Sequence, residues 1–187
     1  VAAAAASLSA VGSSRRTDLI AGAIACAAWA TAIARADGPA HLAAMGSAGT
    51  LLAAIAWFDF RTLRAPNLMV LPGLAVVLGT AFLFGTEAFV QAAAGAAAAF
   101  ALMLLVAVVG RGAMGLGDVK FAALTGAVVG LRLVLPALVV AFVVGGLVAA
   151  VFLGFGLRRR KDVVAFTPLL AAGAIAAMAF YPGYLAG

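Results

Sequence analysis

Residues 88–109, AFVQAAAGAAAAFALMLLVAVV, run through 22 positions without one charged side chain. A helix needs roughly 20 apolar residues to cross the hydrocarbon core of a bilayer, and backbone groups in lipid are satisfied only inside helices or closed barrels. This stretch therefore reads as a membrane-spanning helix, and its alanines suit close helix–helix approach in lipid. Similar runs flank it on both sides. The expected spans are 19–34, 40–58, 68–85, 88–109, 119–130, 133–157 and 166–185, which makes an all-α bundle of about seven transmembrane helices. Two-thirds of the 187 residues are hydrophobic, 10% are charged and the mean hydropathy is +1.23. A soluble domain of this size cannot hide that much apolar surface. The chain is read as one integral-membrane domain, with residues 1–18 as a cytoplasmic N-terminal tail.

The net charge of +6 does not indicate nucleic acid, because the basic residues sit in short breaks between apolar runs. Counted on alternate sides, ten fall on one side: Arg15, Arg16, Arg61, Arg64, Arg111, Lys120, Arg158, Arg159, Arg160 and Lys161. Only Arg35 and Arg132 fall on the other. Basic loops stay in the cytoplasm, so the N-terminus is expected inside and the C-terminus outside a bacterial inner membrane. Val1 to Ser14 lacks the basic start of a secretory signal, and none is expected. Cys26 is the single cysteine, which excludes an intrachain disulfide, and its place in an apolar run suits a small packing residue. His41 is the single histidine, which excludes a histidine metal cluster and suggests an interfacial polar residue.

Six acidic residues carry whatever acid–base chemistry exists. Asp18 and Asp162 lie among basic residues and read as interfacial ion pairs; Asp37 and Glu87 sit in turns on the other side. Asp59 and Asp118 differ, because each abuts a long apolar span. Asp59 opens the hairpin Asp59-Phe60-Arg61-Thr62-Leu63-Arg64-Ala65-Pro66-Asn67, where Pro66 cannot continue the incoming helix and Asn67 can cap the next. Asp118 lies in Gly110-Arg111-Gly112-Ala113-Met114-Gly115-Leu116-Gly117-Asp118-Val119-Lys120. Four glycines in eight positions allow positive φ and close approach of an extended peptide. The Walker spacing of a phosphate loop is absent. Both carboxylates fall at the same side of the membrane in this topology. Two neighbouring carboxylates sharing a proton supply the base and the acid for attack of water on an amide. Asp118 opens a helix, whose positive dipole end suits the ionised base, and Asp59 closes one, which suits the partner that holds the proton.

These motifs resemble those of the type IV prepilin peptidases, membrane aspartic peptidases of the Gly-x-Gly-Asp type. The resemblance rests on Asp59 followed by Arg61, Arg64 and Pro66-Asn67, and on Gly115-Leu116-Gly117-Asp118-Val119-Lys120. A looser third match is Ala165-Phe166-Thr167-Pro168-Leu169-Leu170-Ala171, similar to a Pro-Phe-Gly-Pro stretch. Ala165 and Thr167 depart from that pattern, and no catalytic role is assigned there. The resemblance implies an endopeptidase that removes the leader of type IV prepilins or pseudopilins, with Asp59 and Asp118 catalytic. Gly115, Gly117, Lys120, Arg64, Pro66 and Asn67 would bind substrate or support the pair, and no metal is implied. Larger members carry a cysteine-containing cytoplasmic domain and methylate the new N-terminus with S-adenosylmethionine. Without that domain or its cysteines, this chain resembles the short Tad/Flp type, for which no cofactor is expected unless methyl transfer is retained. The implied partners are a prepilin and membrane lipid.

Two other readings compete. A presenilin or signal-peptide-peptidase type also uses Gly-x-Gly-Asp, and Pro136-Ala137-Leu138 spells that group's tripeptide, but only 18 residues after Asp118. A small transporter or scaffold would instead place its aspartates near the bilayer midplane on interrupted helices.

Overall fold

The computed structural model describes residues 2–36, 38–62, 67–110, 115–154 and 166–180, with no account of the side chains of 2–17, 35, 60–62, 67–68, 149, 152–154 and 180. Six helices form an all-α bundle: α1 Ala2–Arg35, α2 Pro39–Thr62, α3 Asn67–Leu83, α4 Thr86–Val109, α5 Leu116–Gly154 and α6 Thr167–Phe180. Three stretches are long and apolar enough to cross a membrane: Pro39–Asp59, Thr86–Val109 and Leu116–Val148. The large hydrophobic side chains left exposed, Leu83, Leu105, Val109 and Leu147 among them, are compatible with a surrounding of lipid.

The count differs from the seven spans expected. The proposed fifth and sixth spans both fall in α5, which is two helices joined across a kink at the non-helical Gly130 (φ 71°, ψ 170°), where the fifth span was expected to end. Arg132, taken as a loop residue, lies within α5 just past this bend. Only glycine adopts that φ without strain, so the break falls where the side chain is missing. Helix α1 also reaches back to Ala2, through the segment read as a tail.

Helix α5 is the centre of the bundle. Every residue from Phe121 to Gly130 is buried, and α5 packs on α4, α6 and α3. The α4–α5 contact is made by small residues: a Cβ on Gly95 would strike the Gly126 carbonyl and the Gly130 backbone, and one on Gly126 would strike Gly95 and Ala99. Backbone-to-backbone approach of this kind replaces the hydrophobic drive that lipid removes. Gly173 of α6 meets Ala137 and Ala141 of α5 in the same manner, and Gly49 of α2 meets Ala28 of α1. The α1–α2 pair is tied further by Trp29 Nε1, which donates to Thr50 Oγ1 at 3.0 Å, and by Trp57 Nε1, which donates to Asp18 Oδ1 at 2.7 Å.

Candidate functional site

Asp59 stands in the last turn of α2. Leu52, Ile55 and Ala56 precede it on the face turned into the bundle, and helical spacing carries Asp59 inward with them, to 4% exposure. Asp118 stands in the first turn of α5, three residues after Gly115. Its N–H donates to the Gly115 carbonyl at 3.1 Å, and its carboxylate accepts from the Gly115 N–H. This is one half of a capping box, in which an acidic side chain three residues into a helix reaches back to the N–H of the residue that starts it; Gly115 has no side chain to supply the other half.

Helix α6 brings the two aspartates to a common partner. Thr167 opens α6 and is fully buried. Its Oγ1 donates to Asp118 Oδ1 at 3.2 Å, and the same hydroxyl lies close to the Asp59 carboxylate. The Asp118 carboxylate is also close enough to feel the charge of Asp59. One hydroxyl proton serves one carboxylate at a time, while the hydroxyl lone pairs can accept from the other when that one is protonated. Three helix ends, from α2, α5 and α6, thus converge on two acids and one hydroxyl. Such a group can hold a single shared proton and hand it on, the requirement for general acid–base chemistry.

The other residues singled out in the sequence are distributed less tightly. Gly117 and Lys120 are half-buried in the opening turns of α5. Gly115 and Gly117 do not carry the positive φ their abundance suggested; among the described glycines that conformation belongs to Gly85 and Gly130. What Gly115 contributes is its N–H on the Asp118 carboxylate. Arg64, Pro66, Arg111, Asp37, Asp162 and the basic run Arg158 to Lys161 lie outside the described residues. Asn67 opens α3, but its side chain and that of Arg61 are outside the description too. His41 packs its ring against Phe84, with centroids 4.9 Å apart. Cys26 is exposed on α1 and is not the packing residue expected. Among the described residues no His, Cys, Asp and Glu side chains cluster in a way that could hold a metal ion.

Thr167 is the site residue that sequence reading passed over. Its signal was a polar side chain at the mouth of an apolar helix, directly before Pro168. That signal was discounted because the residue departs from the glycine of the resembled motif.

Residues 47–150, more than half of the chain, match the type IV leader peptidase family. The chain belongs to this family. Asp59 and Asp118 lie within the matched stretch, and Thr167 lies beyond it. A curated relative, the prepilin leader peptidase/N-methyltransferase of Bacillus subtilis (strain 168), is 27% identical over 128 residues, which is 68% of this chain and 52% of the relative. The chain thus spans about half the length of that family member. No solved structure matches the chain.

Proposed function

We propose that this chain is a membrane aspartic endopeptidase that cleaves the leader of type IV, Flp/Tad-like prepilins or pseudopilins at the cytoplasmic boundary of the bacterial inner membrane. Asp59 and Asp118 are the catalytic pair in this reading. The observation that carries it is the hydroxyl of Thr167 held between the two carboxylates, at a place where α2, α5 and α6 all end. In the mechanism, the ionised member of the pair takes a proton from water as the oxygen attacks the scissile carbonyl carbon. The protonated member first donates to the carbonyl oxygen; as the tetrahedral intermediate collapses, a carboxyl proton passes to the departing amine. Thr167 and the Gly115 N–H orient Asp118 through both steps. The proposal is confined to cleavage, and methyl transfer is not assigned.

The positive-inside count supports an orientation with the aspartate end in the cytoplasm, where a prepilin leader is found. The seven-crossing topology takes Gly130 as the turn between two crossings of α5. A transporter reading fits less well, because both aspartates stand at helix ends and not at a mid-span break. Co-expression with candidate prepilins tests the function. A leader-length gel shift, with N-terminal sequencing of the product, is the expected outcome. Absence of any shift with every cognate prepilin in the genome overturns it.

A further inference from the structure

Away from the aspartates the bundle is not closed. Helix α2 packs on α1 and α6 and lightly on α3, and away from the aspartates it leaves a gap towards α4 and α5. The gap is a cavity of ≈ 1190 Å³. Leu51 and Ile55 of α2, Val76 and Val77 of α3 and Leu133 of α5 form an apolar trough along it. Ile55 lies one helical turn from Asp59, so the trough extends towards the aspartate end. Ser47 and Thr80 also line it, but each hydroxyl is already bonded to a carbonyl of its own helix, Ala44 and Val77 respectively.

The remaining polar side chains include a cation, a carboxylate and an amide: Arg132, Glu87 and Gln91. Arg132 follows Gly130, which abuts Gly95 of α4. Arg132 is exposed, lines the same cavity as Glu87, and forms no interaction with the described residues. On α4, Gln91 Nε2 donates to Glu87 Oε1 at 3.1 Å, while Gln91 Oε1 is buried with no hydrogen-bond partner among the described residues. The cavity therefore presents a guanidinium and a carbonyl acceptor without partners among the described residues, and a carboxylate, above an apolar trough.

We infer that this cavity binds a glycerophospholipid with a primary-amine head group, drawn from the leaflet on the Glu87 side. The phosphate pairs with Arg132, the ammonium donates to Glu87 and to Gln91 Oε1, and the acyl chains fill the trough. Other occupants complement it less completely. A free anion satisfies Arg132 and leaves the acceptors and the trough empty. An apolar helix fills the trough and buries Arg132 and Gln91 unpaired. A quaternary ammonium has no N–H for Gln91. The inference does not rest on the peptidase reading.

The test is native mass spectrometry of the full chain titrated with phosphatidylethanolamine, phosphatidylcholine and phosphatidylglycerol of identical acyl chains, with inorganic phosphate as a further arm. One phosphatidylethanolamine is expected to be retained at least tenfold more strongly than either other lipid. Arg132→Gln is expected to weaken retention of both phosphatidylethanolamine and phosphatidylcholine, and Gln91→Leu to abolish the preference between them. Asp59→Asn is expected to bind the lipid as the parent does, which keeps this result separate from cleavage. Equal retention of the three lipids overturns the inference. So does a preference unchanged in both variants, or phosphate binding alone.

Discussion

Thr167 Oγ1 donates to Asp118 Oδ1 at 3.2 Å across 49 residues of sequence, joining the start of α6 to the start of α5. The same hydroxyl reaches Asp59 at the end of α2. A hydrogen bond to a charged group contributes about 1.5–3 kcal/mol. Lost from a transition state, that corresponds to about ten- to a hundredfold in rate. Thr167→Val keeps the shape and removes the hydroxyl. It is expected to lower kcat for leader cleavage by about that factor with little change in KM, and Thr167→Ser is expected to restore most of it. Equal activity of the valine and serine variants would assign Thr167 to packing alone.

In the proposed mechanism each aspartate has its own proton to move, so neither can replace the other. Asp59→Asn and Asp118→Asn are each expected to abolish cleavage while leaving membrane insertion intact, scored by processed pilin and by membrane fractionation. Asp162→Asn serves as the control and is expected to process normally. Normal processing by either variant of the pair would sink the aspartic mechanism.

Catalysis by one shared proton requires one carboxylate charged and one neutral. The rate is therefore expected to rise and then fall with pH, measured with purified protein in detergent and a synthetic prepilin. The two apparent pKa values of such a bell belong to the pair and not to single residues. A rate that climbs to a plateau with no descending limb would contradict the shared proton.

The glycines separate by geometry and not by motif. A Cβ at Gly115 would lie 3.8 Å from Asp118 Oδ2, an ordinary contact, and alanine keeps the N–H that Asp118 uses. Gly115→Ala is expected to stay active, with a loss of helix stability of no more than about 1 kcal/mol. Gly126→Ala meets the backbone of Gly95 and must push α4 from α5. Overpacking of this kind costs about 1–3 kcal/mol or more. A lower midpoint of thermal unfolding in detergent is expected for Gly126→Ala and not for Gly115→Ala.

Much of this was legible in the chain because it depends on local composition. Apolar length marked the helices, Pro66-Asn67 the start of α3, and the position of two aspartates at span ends marked the acids. Charge beside an apolar run is visible without knowing which helix lies next to which. The boundary expected after residue 130 was legible for a local reason as well: two helices meet there across a kink whose φ of 71° glycine alone adopts without strain.

Sequence by itself determined the membrane class, the all-α architecture and the candidacy of Asp59 and Asp118. Only the tertiary structure decided that Thr167 stands between them, that Gly95 meets Gly126, that Cys26 faces outward, and that α2, α3, α4 and α5 enclose a cavity away from the aspartates. The physical reason is the solvent. In water a buried helix face is marked by an apolar stripe against a polar one. In lipid both faces are apolar, and the inward one is chosen by small residues and by partners dozens of positions away.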